Sequence, residues 1–263
     1  MLLVLDIGNS TVNAALFNSH RMIRRLSMMN ASLAHRRDLS EFLRRLCATN
    51  LLPEKVITGI AIASAVPKLT RSFTTLLENI LHRPPLIVSG TMDAGMKILY
   101  DDPARLGADR LCSAVAARQR YGSPSIVVDF GTATTITTVS TKGELLGGAI
   151  APGIGTMASA LASHTVLLPE VSLEFPPSVI GLNTMRSIQS GVLIGTVAMV
   201  EGLTRRMKRI IGSKASVVAT GGFSSLVARH TNLFDTVEPH LVLEGAQLIY
   251  NRVSRRSRQQ QTR

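Results

Sequence analysis

Two short stretches of this sequence share one design. Residues 125–135 read Ser-Ile-Val-Val-Asp-Phe-Gly-Thr-Ala-Thr-Thr, and residues 2–11 read Leu-Leu-Val-Leu-Asp-Ile-Gly-Asn-Ser-Thr. In each, an apolar run ends in an aspartate, Asp129 or Asp6, and a glycine follows two residues later. A run of that length reads as a buried strand. It delivers the carboxylate into a tight turn that glycine permits, where backbone amides and hydroxyls can face phosphate. A chain carrying the design twice is expected to fold as two related halves closing on one anionic ligand.

The rest of the composition narrows the class. At 263 residues and 45% hydrophobic content, the chain can bury substantial cores as one compact unit or two small domains. Cys47 and Cys112 lie far apart and form no Cys-x-x-Cys pair, so neither a disulfide framework nor a zinc site is indicated and a reducing cytoplasm is the simplest setting. Asp6 interrupts the first apolar run, so no secretory leader is read there. The long uncharged stretch at residues 145–169 contains Gly147, Gly148, Pro152, Gly153 and His164 and would make a poor membrane helix. A soluble protein is expected.

The net charge of +12 comes from 29 basic and 17 acidic residues, which suits a nucleic-acid partner or an anionic substrate. Arg252, Arg255, Arg256, Arg258 and Arg263 concentrate part of it at the C-terminus. Aromatic residues are only 4%, and neither RNP-type aromatic motifs nor Cys/His finger spacings occur. Stacking on bases is therefore poorly provided for, and nucleic-acid binding is not favoured.

In chain order, Val12 to Phe17 reads as a strand returning from the Asp6 turn. Residues 28–51 carry Leu33, Leu39, Phe42, Leu43 and Leu46 at helical spacing, read as an amphipathic outer helix. The arginine pairs Arg24/Arg25, Arg36/Arg37 and Arg44/Arg45 read as solvated. Residues 56–65 form a strand, residues 69–81 a helix broken by Pro84-Pro85, and Leu86-Ile87-Val88 a further strand. This β-α-β alternation predicts a sheet with covering helices.

Residues 100–110 read Tyr-Asp-Asp-Pro-Ala-Arg-Leu-Gly-Ala-Asp-Arg and lead into a helix over 111–119. Asp109 is either a first-turn acid with Arg110 as its surface partner, or a base beside a bound hydroxyl. After the second aspartate turn, residues 135–139 continue outward, Lys142-Gly143-Glu144 turns the chain, and residues 146–155 return with Gly147, Gly148, Pro152, Gly153 and Gly155. Neither a Walker A ending nor a Gly-x-Gly-x-x-Gly after a strand is present, so P-loop and Rossmann readings lose ground. Beyond Asn183-Thr184 a long helical pattern runs to Ile211, apolar on most of its circumference through Met199, as a domain or subunit contact would require. Residues 215–219 are a strand, and Thr220-Gly221-Gly222 is a turn that could hold an adenosine. Residue 241 begins a last helix, and residues 254–263 read as a disordered basic tail.

Taken together, Asp6-Ile7-Gly8-Asn9-Ser10, Gly107-Ala108-Asp109-Arg110, Asp129-Phe130-Gly131-Thr132-Ala133, Gly147-Gly148 with Pro152-Gly153, and Thr220-Gly221-Gly222 resemble, in order and spacing, the motifs of type III pantothenate kinases. These belong to the actin, sugar kinase and Hsp70 superfamily, and the likeness runs from Met1 to about Tyr250. It implies an α/β fold of duplicated ribonuclease H-like, actin-like ATPase domains, with mixed sheets, flanking helices and an interdomain nucleotide cleft. The expected lobes are residues 1–120 and 121–250, with 251–263 as tail. The implied activity is ATP-dependent phosphorylation of pantothenate, the first step of coenzyme A synthesis, by a cytoplasmic homodimer.

By the same resemblance, Asp6, Ile7, Gly8, Asn9, Ser10, Thr11, Val12 and Asn13 form the first phosphate loop, and Thr132 also contacts ATP, which is used with Mg²⁺. Asp109 is the base. Tyr100 and the run Gly107, Ala108, Asp109 and Arg110 hold pantothenate, and Thr184 reaches it from the partner subunit. Asp129 binds a monovalent cation, potassium or ammonium. Ser10 stands where the family commonly has threonine, and both supply a hydroxyl. The strongly basic tail is not part of the family pattern. Two other readings are a kinase of the same superfamily acting on another small alcohol, and a non-catalytic regulatory or nucleic-acid-binding relative. The presence of both Asp109 and Asp129 argues against the second.

Overall fold

The structure is a computed structural model that describes residues 1–33, 35–47 and 56–261. Two units are distinguished: Met1–Ala116 with Leu241–Arg263, and Ala117–His240.

In chain order the first unit contains β1 (Leu2–Ile7), β2 (Thr11–Asn18), β3 (Arg21–Met29), α1 (Arg36–Cys47), β4 (Gly59–Ser64), α2 (Pro67–Leu81), β5 (Leu86–Ile87) and the start of α3 (Ala108–Tyr121). The N-terminal run becomes a central strand because Leu3, Val4, Leu5 and Ile7 have no solvent-facing side left. β1 pairs antiparallel with β2 and parallel with β4, in a sheet of order β3-β2-β1-β4-β5. On α1 the residues Leu39, Phe42, Leu43 and Leu46 bury one stripe, and α2 answers with Leu69, Phe73, Leu76 and Leu77. Phe42 and Phe73 meet edge to face at 6.2 Å.

The second unit contains β6 (Ser125–Phe130), β7 (Ala133–Val139), β8 (Leu145–Pro152), α4 (Ile154–His164), α5 (Thr184–Gln189), α6 (Gly195–Ile211), β9 (Ser216–Thr220), α7 (Ser224–Ala228) and β10 (Thr236–Val237). Its sheet has the order β10-β9-β6-β7-β8. β6 pairs antiparallel with β7 and parallel with β9, as β1 does with β2 and β4. The connectivity is that of the first sheet repeated, so the doubled aspartate design reflects a doubled fold. Residues 184–211 form one helical run long and apolar enough for a bilayer by length and composition, but half of its most apolar window is buried. Ile188, Val192, Leu193, Val197 and Val200 fill the core of this unit.

Several expectations are corrected. The helix read over residues 28–51 spans only Arg36–Cys47, residues 28 and 29 end β3, and residues 48–51 lie outside the described residues. β3 was hidden because its arginines face water, as suits an edge strand, while only Leu26 and Met28 pack inward. The helical run expected to reach Ile211 does so, but opens into a wide π turn at Ser190–Ile194 before α6. The last helix, α8 (Leu241–Gln261), belongs with the first unit, and the division falls inside α3 after Ala116 instead of at residue 120. Its apolar residues Leu241, Leu243, Ala246 and Ile249 are buried, and it packs on β1 and β4. A Cβ at Gly245 would collide with the Cys112 carbonyl, so that glycine sets how closely α8 approaches α3. The expected disordered tail is therefore helical to Gln261, with residues 262–263 outside the described residues.

Candidate active site

The β1–β2 turn is fixed by local bonds. The Gly8 amide donates to the Thr11 carbonyl at 2.9 Å, and the Asn30 side-chain amide donates to the carbonyls of Gly8 at 3.0 Å and Asn9 at 3.2 Å. Asn9 and Ser10 are exposed at its tip, whereas Ile7 and Val12 are core residues. Those two positions can meet a ligand only through their backbone. Asp6 stands one residue before the end of β1, opposite Asn13, whose side-chain amide donates to Asp6 Oδ2 at 3.1 Å. Burial pushes the Asp6 carboxyl from its ordinary 3.8 up to about 7; the Asn13 bond opposes this and the charge of Asp109 adds to it.

That last influence shows that Asp6 and Asp109 share one neighbourhood. Asp109 stands in the first turn of α3, where its Oδ1 accepts from the Arg110 amide at 2.8 Å. Gly107 has no side chain because the Asp109 carboxyl occupies the space a Cβ would need. Arg110 is 5% exposed and its guanidinium lies 5.6 Å from the centre of the Tyr100 ring. Ala108 is buried. The structure thus brings Asp6, Tyr100, Gly107, Asp109 and Arg110 into a single unit. Sequence reasoning missed Cys112, one turn after Asp109 on the same helix. Its thiol is pushed well up by burial and by the charges of Asp6 and Asp109, which makes it an inert floor for the site. The three-residue spacing from Asp109 was the available signal. Asn30 gave none, being 22 residues from the loop it pins.

In the second unit Asp129, the residue before the end of β6, sits between Thr135 of β7 and Thr220 of β9. The Gly131 amide donates to the Ala133 carbonyl at 3.1 Å, closing a turn like that at Gly8. Thr132 is exposed, and its carbonyl accepts from the Gly153 amide at 2.9 Å and from Thr156 Oγ1 at 2.7 Å. Gly221, at φ +89°, lies so close to Asp129 that a Cβ would touch its carboxylate and the Phe130 backbone. The expected adenosine turn therefore adjoins the expected cation ligand. Thr184 opens α5 behind the Asn183 cap and lines a mainly apolar groove of about 700 Å³ with Pro152, Thr156, Met157 and Leu161. Thr156 was another omission, because α4 was not foreseen.

Relatives decide what such an arrangement belongs to. A profile described as type III pantothenate kinase matches residues 2–206. A type III pantothenate kinase of Moorella thermoacetica is 40% identical over 252 residues, covering 96% of this chain and 99% of the relative. The chain belongs to the type III pantothenate kinase family. Its fold is that of actin-like ATPases and sugar kinases. The activator of the 2-hydroxyisocaproyl-CoA dehydratase from Clostridium difficile, solved with bound ADPNP, superposes with a TM-score of 0.58 at 14% identity, covering 98% of this chain and 97% of that one. An inorganic polyphosphate/ATP-glucomannokinase from Arthrobacter gives 0.51 at 14% identity over 96% of this chain and 98% of that one.

The donor chemistry of the two aspartates can be set against what hard cations take. Among the described residues no cluster of three or more His, Cys, Asp or Glu could hold a metal by side chains alone. A hard cation shared with substrate phosphates needs only one or two carboxylates. Asp6 fits that demand, since it is a carboxyl whose burial holds its proton to about 7 for want of positive charge. Asp129, flanked by two threonines in its sheet, supplies the oxygen chemistry that a hard monovalent ion takes.

Proposed function

We propose that this chain transfers the γ-phosphoryl group of ATP to the primary hydroxyl of pantothenate, giving 4′-phosphopantothenate, the first step of coenzyme A synthesis, in the cytoplasm. The observation that carries this reading is that the buried Asp6 carboxyl, at the first glycine turn, feels the charge of Asp109 in the first turn of α3, within the segment the family profile matches.

Residues 6–13 receive ATP phosphate, through the amides of the Gly8 turn and the exposed side chains of Asn9 and Ser10. Asp6 would hold Mg²⁺ with the nucleotide, and Asp129 potassium or ammonium. These ions supply charge neutralisation at the transferring phosphoryl group. Thr132 contacts ATP from the second phosphate turn. Tyr100 and residues 107–110 hold pantothenate. Asp109 Oδ1 is already engaged by the Arg110 amide, and Oδ2 takes the hydroxyl proton as the oxygen attacks phosphorus. Arg110 is fixed by burial beneath Tyr100 and offsets charge without a rotamer search. Thr184, exposed at the head of α5, serves the site of the partner in a homodimer.

The test is formation of phosphopantothenate from ATP and pantothenate, followed by mass spectrometry with and without potassium, beside glycerol, acetate and hexoses as acceptors. Turnover with pantothenate that falls when potassium is withdrawn is expected. Preference for another alcohol, or no turnover with any, refutes the assignment.

A further inference from the structure

The basic C-terminal helix is the feature that the family pattern leaves unexplained, and the structure ties it to one place. Asp93 lies in the loop between β5 and α3, seven residues before Tyr100. Its Oδ1 accepts from the Gly95 amide at 3.1 Å and from Arg252 Nε at 3.1 Å, and its Oδ2 pairs with Arg256. Gly95 stands at φ +81°, and a Cβ there would crowd the Arg252 guanidinium. Next to it Ala94 is buried. Nearer the start of the loop, a Cβ at Gly90 would strike the Pro103 carbonyl, so residues 90 and 103 are also held against each other. The loop is thereby closed on itself and fastened to α8, and Tyr100 rests over Arg110 within it.

We infer that Arg252 and Arg256 are positioning residues for the pantothenate loop: by gripping Asp93 they fix the segment that presents Tyr100 above Arg110. This rests on the reading that Tyr100 and Arg110 hold pantothenate. The same helix packs Gly245 against Cys112 of α3, so one element braces both the Asp109 helix and the Tyr100 loop. Burial pushes the Asp93 carboxyl up, yet the bonds from Arg252 and Gly95 and the two guanidinium charges outweigh it and leave it below its ordinary value.

These pairs are half exposed, with side-chain exposures of 42% and 59% for the arginines and 37% for Asp93, so each is individually weak. Asp93→Asn and the double substitution Arg252→Ala/Arg256→Ala, which keeps helix-forming residues in α8, are expected to raise KM for pantothenate about 3- to 10-fold. KM for ATP and kcat should stay at wild-type values. High salt should raise the wild-type KM towards that of the variants and leave theirs unchanged. Hydrogen exchange of residues 89–102 in the absence of substrates should quicken in both variants. A wild-type enzyme idle towards pantothenate refutes the functional reading, and this assignment with it. An active enzyme whose pantothenate KM is the same in the variants refutes this assignment alone, as does a loss confined to kcat.

Discussion

Replacing Asp6 by asparagine should stabilise the protein while disabling it, and the gain should depend on pH. The wild-type carboxyl is held to about 7 against an ordinary 3.8. Between those values the native state carries a proton that the unfolded chain has lost, so stability falls as pH rises through the window. Above 7 the cost is fully present, because the buried group is then ionised in both states but solvated only in one. The difference corresponds to at most about 4 kcal/mol. Asp6 is only partly buried and its Asn13 bond favours the charged form, so a net gain of about 2 kcal/mol is expected for Asp6→Asn at pH 8. At pH 4 the wild-type group is protonated in the native state, and the gain should nearly vanish. Thermal melts followed by far-ultraviolet circular dichroism at both pH values measure this, with Tm rising by about 4–8 °C at pH 8 only. An equal shift at both pH values, or destabilisation at pH 8, refutes the reasoning. The same variant should lose turnover if Asp6 serves ATP with its cation.

The other predictions concern the neighbouring residues. Asp109→Asn keeps the side-chain shape and should lower kcat about 10²- to 10⁴-fold while ATP binding, measured by calorimetry, is retained; near-normal turnover would remove Asp109 from the role of base. Gly221→Ala forces an L side chain to φ +89° with its Cβ on the Asp129 carboxylate and the Phe130 backbone, and should cost about 3 kcal/mol in urea unfolding along with potassium activation. A stable, potassium-responsive variant would show that the contact relaxes freely. Thiol labelling at pH 8 should modify half-buried Cys47 well before Cys112, whose buried thiol is pushed well up beside two carboxylates. Faster loss of Cys112, read by peptide mass mapping, would mean that the floor of the site opens.

The sequence was legible where one local pattern carried its own physics. The runs before Asp6 and Asp129 could only be buried strands, and a glycine two residues later could only turn them, so both hairpins and the central place of their strands followed from composition along the chain. Gly107 and Asp109 announced the start of α3 in the same way. Where charge and burial conflicted, the pattern misled: Arg24 and Arg25 masked β3, and the arginines at the end of α8 looked like a solvated tail. Nothing local distinguishes an arginine that faces water from one that meets Asp93.

What the chain determined by itself was therefore the doubled design, two strand-and-aspartate hairpins with the residue types that phosphate chemistry uses. What only the tertiary structure decided was company. Asp6 and Asp109 are more than a hundred residues apart in sequence, and only the fold buries Asp6 and brings the charge of Asp109 close enough to add to the upward push on its carboxyl. Electrostatic coupling falls off over a few ångströms of space and takes no account of separation along the chain. The allegiance of α8 to the first unit was decided the same way, by a buried stripe and the absent Cβ of Gly245.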